Sequence, residues 1–145
     1  MADTRCQVEC EDWVRREWMP KAFGQPFHRE RMSLSSGGVF DFDAVSADNT
    51  IVASISTSSA KTASGKNGVG KLMKLRADML FLLLSNAPRK VLVLCEEDMH
   101  ALCLREMASG RVPKDIEIIH AALPADLAER LGAARRVSSS EVSPR

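Results

Sequence analysis

The run Gly65-Lys66-Asn67-Gly68-Val69-Gly70-Lys71 has the G-x-x-x-x-G-K spacing with which backbone N–H groups cradle a phosphate while a lysine reaches its outer oxygens. Two features set it apart from a nucleotide loop. Leu72 stands where a Ser or Thr would hold Mg²⁺, and the first Gly follows the preceding strand-like run by about eight residues instead of ending it. Residues 91–96 could imitate a second nucleotide motif, but Cys95 occupies the usual Asp place. The surroundings are basic: Lys61, Lys66, Lys71, Lys74 and Arg76 lie in residues 49–77, a stretch without Asp or Glu. Lys71 and Lys74 also fall at the start of a helix, where cations oppose the dipole unless an anion is present. Such a strip suits contact with a phosphate backbone, and equally a solvated loop and helix edge.

Other reactive types are more scattered. Cys6 and Cys10 sit at helical spacing, with Cys95 and Cys103 far off, which is too loose for a closed zinc set and reads as burial of small apolar groups. His28, His100 and His120 have no candidate nucleophile near them in sequence. Ser54, Ser56, Thr57, Ser58 and Ser59 make a hydroxyl-rich strand end that lacks the Ser-x-x-Lys and Gly-x-Ser-x-Gly patterns. Asp41 and Asp43 alternate with Phe40 and Phe42, which predicts two carboxylates on one strand face: a site, or the solvent side of a strand whose phenylalanines pack beneath.

The chain has 145 residues, 45% apolar and 27% charged, a composition suited to one globular domain with one closed core. A net charge of +1 excludes a whole-molecule argument for nucleic acid or membrane, so any basic surface is local. The opening residues are polar, without a signal-peptide apolar core, and four cysteines then read as reduced thiols in a cytoplasmic compartment. The longest apolar run, residues 79–84, is far below the roughly 18 to 20 needed to span a bilayer.

Periodicity and breakers predict a helix over residues 5–18 ended by Pro20 and Gly24, then a charged edge strand over 26–34. Strands over 39–46 and 50–57 form a hairpin around Ala47-Asp48-Asn49. A flexible basic loop (58–70) leads to a helix over 71–86. A buried strand (91–95), a helix capped by Glu97 or Asp98, a strand (116–120) and a short helix opened by Pro124 follow. Trp18 is expected to be half exposed. The core spans residues 5–134, and residues 135–145 form a mobile Ser-rich tail. The fold class is α/β: a mixed central sheet of about five strands, an antiparallel meander followed by crossover units, flanked by helices.

This order, with Phe40-Asp41-Phe42-Asp43-Ala44-Val45 followed by a turn and Ile51-Val52-Ala53-Ser54-Ile55-Ser56, resembles the PD-(D/E)XK restriction-endonuclease-like superfamily over residues 8–120. The resemblance implies an Asp on the second core strand, an acid-x-Lys triplet on the third, one or two Mg²⁺ ions between the carboxylates, and in some members a Glu from the first helix. Asp43 matches the strand Asp and Glu17 the helical Glu, giving Asp43 and Glu17 as metal ligands. The triplet positions fall on Ser54 and Ser56, neither an acid nor a Lys. A hard Mg²⁺ wants anionic oxygens, which a serine does not supply. The site is then either degenerate or completed by a displaced Lys, with Lys71 as the candidate.

The first functional expectation is therefore a nuclease-like protein that binds DNA through Lys61, Lys66, Lys71, Lys74 and Arg76, with Glu17, Asp43, Ser54, Ser56 and Lys71 marking the old or altered centre. If cleavage persists, it is a Mg²⁺-dependent phosphodiesterase that EDTA abolishes. The alternative is a non-catalytic interaction or assembly module, a possible homodimer, using the edge strand 26–34 and the first helix. A nucleotide-binding protein working through residues 65–71 is the third reading.

Overall fold

A computed structural model describes residues 4–61 and 68–142, with residues 137–142 described through the backbone alone. Helix α1 (Arg5–Trp13) runs without a break through a π-helical turn (Val14–Trp18) into α2 (Met19–Phe23). The expected stop at Pro20 is not observed. A proline in a regular helix clashes with the carbonyl four residues back, and the wider π turn lies directly before it. Gly24 ends the helix instead, at φ 77°, with its N–H on the Pro20 carbonyl at 2.8 Å. Trp13 and Trp18 are partly buried against the core beneath this helix.

Strands β1 (Phe27–Ser33), β2 (Val39–Ser46), β3 (Ile51–Ser56), β4 (Arg89–Leu94) and β5 (Ile116–His120) form one sheet in chain order. The first three are an antiparallel meander; β4 and β5 join parallel to β3. The protein is thus α/β with a mixed five-stranded sheet. The crossovers carry α3 (Val69–Leu84) and α4 (Glu97–Ala108), and α5 (Ala125–Val142) follows β5.

The core lies on both faces of the sheet. On one, Leu75, Met79 and Leu82 of α3 and Met99 and Cys103 of α4 cover Phe42, Val45, Val52, Leu92 and Leu94. Phe40 stacks on Phe81 there, with ring centroids 4.1 Å apart. On the other, Val14 and Met19 cover Ala44, Ile51, Ala53, Ile55, Val91 and Val93. Leu127 and Leu131 of α5 bury Cys10 of α1. Arg135, at the start of the expected tail, belongs to α5 and is docked by its pair with Glu96 at 3.3 Å. No helix among the described residues is long and apolar enough to cross a membrane.

Two irregularities in β2 position the site. His28 pairs with Val45 but Glu30 with Phe42, so β2 carries a bulge between them. Phe42 and Val45, three apart, consequently face the same core while Ala44 faces the other. Asp41 and Asp43 thereby come to sit in different surroundings. Asp41 is exposed and pairs with Arg31 at 2.9 Å; Asp43 is half-buried. Second, the β2–β3 pairing reaches only Ala44↔Ala53 and Val45↔Val52. Beyond it the strands part. The Ile55 N–H, which faces β2, is accepted by the Asp43 carboxylate at 2.9 Å in place of a backbone carbonyl.

Candidate functional site

On the α1 side of this fork, side chains close upon one another. Glu11, Asp12 and Arg15 share a helix flank at spacings of three and four, where side chains meet. The Arg15 guanidinium is nearly buried. It donates to Glu11 Oε1 at 3.3 Å, to Asp12 Oδ1 at 3.0 Å, and across to the Asp43 main-chain carbonyl at 3.0 Å. A buried guanidinium is tolerated only when such partners are supplied. Burial, and then the hydrogen-bonded Asp43 carboxyl beside it, push the Glu11 carboxyl above its ordinary range. Each charged group here has a partner within the knot.

On the α3 side the fork opens into a pocket of about 200 Å³ at the C-terminal end of β3, lined by Ser56, Thr57, Ser58, Lys71, Lys74 and Asp78. The Lys71 ammonium donates to the Lys61 carbonyl at 2.8 Å. Burial and the Arg135 guanidinium favour its neutral form and lower its pKa. Lys74 reaches Asp78 at 3.1 Å, one helical turn on. Burial raises the Asp78 carboxyl, with a smaller contribution from Asp43 across the fork.

The rim is tied down from two helices. Asp98 was a candidate cap for α4, yet Glu96 holds the N-cap position and no side chain caps it. Asp98 instead accepts from Ser59 Oγ at 2.6 Å and from the Ala60 N–H at 3.1 Å. Arg135 of α5 donates to the Thr57 carbonyl and pairs with Glu96 at 3.3 Å.

The fork therefore gathers Asp43, Ser56, Lys71 and Lys74 of the residues expected from sequence. Ser54 is buried at 3% exposure, inside the sheet. Glu17 is exposed on the π-helical turn, and the first-helix acid that meets Asp43 is Glu11. Lys61 is exposed and contributes its carbonyl. Arg76 is turned away to Glu106 on α4 at 2.5 Å. Lys66 and residues 65–67 of the glycine-rich run lie outside the described residues. Within the described part of that run, the Gly68 N–H is engaged by the Ala60 carbonyl at 2.9 Å. Sequence reading missed Glu11, Arg15, Asp78 and Arg135. The Glu11-Asp12-x-x-Arg15 spacing was visible for the first two; Asp78 stands four residues after Lys74 and one past the acid-free stretch.

The donor set does not fit Mg²⁺. One Asp43 oxygen holds the Ile55 N–H, the carboxyl also bonds Glu11, and the strand positions beside it carry neutral hydroxyls. Among the described residues, no group of three or more Asp, Glu, His or Cys is arranged to hold a metal ion. Cys10, Cys95 and Cys103 are free and buried, and burial pushes the first two thiols up to about 12 and the third to about 11, away from thiolate chemistry.

The site that fold and geometry define is an anion-compatible pocket beside a closed carboxylate–guanidinium knot, at the point where a meander meets parallel crossover units. Compared with protein-family models, curated proteins and solved structures, the chain matches none, so its own residues carry any assignment.

Proposed function

We propose that this chain is a cytoplasmic, nuclease-like nucleic-acid-binding protein whose phosphodiesterase site is degenerate. The observation that carries the reading is the pocket that Ser56, Thr57 and Ser58 line together with Lys71 and Lys74, the latter paired with Asp78. Three hydroxyls and two ammonium groups are donors suited to phosphate oxygens. An entering phosphate would take over Lys74 from Asp78 and relieve the mutual repulsion of Lys71 and Arg135.

The strand order and the place of Asp43 support a relationship to the PD-(D/E)XK scaffold. In this reading the Arg15 guanidinium has become the resident cation of the carboxylate end, so the surface holds DNA without a divalent ion. Four free cysteines accord with a reducing compartment.

Titration of a labelled DNA duplex by fluorescence anisotropy tests this. Binding at low salt that is unchanged by EDTA is expected, weakening as salt rises because counterions are released on binding. Absence of binding at low salt contradicts the reading, and EDTA-sensitive binding contradicts the degenerate centre.

A further inference from the structure

The pocket at the end of β3 has two unlike ends. Lys71, Lys74, Leu75 and Asp78 line it from one flank of α3, at the spacings of three and four that share a helix face. With a rise of about 1.5 Å per residue, Lys71 and Asp78 stand roughly 10 Å apart along the helix axis. At the Lys71 end the ammonium is bonded to a neutral group, the Lys61 carbonyl. At the other end stands the Asp78 carboxyl, with 15% of its side chain exposed, and the Asp43 carboxyl across the fork adds to its negative surroundings. Leu75, between the two along the helix, and Ile55 of β3 are buried and make part of the lining apolar.

A volume of about 200 Å³ limits what such a pocket takes. Pockets that engulf a drug-sized molecule run from about 300 to 1,000 Å³. The space suits an end group, a phosphate with part of its sugar, and leaves the base and the rest of a strand outside. The apolar part of the lining suits the carbon skeleton of that sugar, and the three hydroxyls with Lys71 and Lys74 suit the phosphate.

An internal phosphodiester fits this lining poorly. A continuous strand carries a charge at every nucleotide. One that lay along the pocket from the Lys71 end would set a further phosphate against Asp78 and Asp43, where like charges repel. A terminal monoester avoids that repulsion, because its strand leaves the pocket instead of crossing it. It also carries about −1.5 to −2 charges at neutral pH, against one for a diester, and so matches two ammonium groups. Once Lys74 turns from Asp78 to that phosphate, the unpaired carboxylate opposes a second one more strongly.

We infer that the pocket recognises the terminal phosphate monoester of a nucleic-acid strand. Lys71, Lys74 and the hydroxyls of Ser56, Thr57 and Ser58 hold the phosphate, and Asp78 is the residue that rejects a continuous strand. The inference rests on the nucleic-acid-binding reading above and adds to it which part of the strand the pocket binds.

Fluorescence anisotropy of the full chain with one single-stranded DNA sequence, labelled at an internal base, tests it. The strand is supplied phosphorylated at its 5′ end, phosphorylated at its 3′ end, with hydroxyls at both ends, and closed into a circle. One phosphorylated form is expected to bind about tenfold tighter than the hydroxyl-ended and circular forms. Lys71→Ala is expected to abolish that advantage, and Asp78→Asn to narrow it by raising affinity for the circle. Equal affinities for all the forms overturn the inference while leaving DNA binding intact; binding of none removes the DNA-binding reading with it. A preference that survives Lys71→Ala overturns the assignment to this pocket, and a ratio unchanged in Asp78→Asn overturns the role of that residue. A deoxynucleoside monophosphate that displaces the phosphorylated strand mole for mole overturns the strand as ligand in favour of a free nucleotide.

Discussion

The two sides of the β2–β3 fork use similar residue types to opposite ends. Toward α1, Asp43, Glu11, Asp12 and Arg15 bind one another, and the one guanidinium among them is nearly buried. Toward α3, Ser56, Thr57 and Ser58 face Lys71 and Lys74 across a pocket, and Lys74 has 74% of its side chain exposed. A buried charge must be matched within the protein, because desolvation outweighs an incomplete set of partners. An exposed lysine loses little by changing partners, because solvent screens its ion pair. The knot thus holds the first helix onto the fork, and in the proposed reading the pocket is the part left to meet a ligand. Substitutions on the two sides should separate stability from binding.

The largest effect is expected at Arg15. Arg15→Met keeps the aliphatic volume but leaves the Asp43 carbonyl without its side-chain donor and takes one partner each from Glu11 and Asp12, which keep Asp43 and Arg16, a loss of about 3 kcal/mol in chemical denaturation. A change under about 1 kcal/mol would erase the contrast between the two sides. Next come Lys71→Ala and Lys74→Ala, each expected to weaken DNA binding by roughly tenfold at low salt while moving stability by no more than about 0.5 kcal/mol.

Glu11→Gln sharpens the comparison through pH. Glu11 is raised above its ordinary value of 4.5, so the folded state holds its proton more tightly than the unfolded chain. Its contribution is fully present below that value and is lost as pH rises through the folded-state value. Wild type should therefore lose stability relative to Glu11→Gln as pH rises from about 4.5, read from urea midpoints across a pH series; parallel curves would contradict the account. The smallest effect belongs outside the fork. Asp41→Asn breaks only the exposed pair with Arg31, which solvent screens, and should leave the urea midpoints unchanged across the same pH series.

Most of the architecture was legible because its elements follow simple periodicities. The alternation of 39–46 and 51–56 around Asp48-Asn49 gives the hairpin, and the apolar runs at 91–94 and 116–119 read as strands buried between helices. The features that could not be read are departures from those periodicities. Phe40-Asp41-Phe42-Asp43 alternates regularly, so nothing in it announces the bulge that separates the two carboxylates. The π turn adds a residue to one turn of the first helix, rotating faces projected across it; Glu17 lies within the turn and Glu11 before it. Pro20 ordinarily signals a stop, and only the preceding wide turn allows the helix to run on. Arg135 could not be placed from sequence, because its partners Glu96 and Thr57 are distant along the chain.

The central claim, that the α3 side of the fork is a phosphate-binding surface, is tested most directly by the dependence of the DNA association constant on salt, measured for wild type and for Lys71→Ala with Lys74→Ala. A negative wild-type log–log slope, made shallower by about one for each lysine removed, is the predicted result. Identical slopes for the two proteins, or no association at the lowest salt, would contradict it.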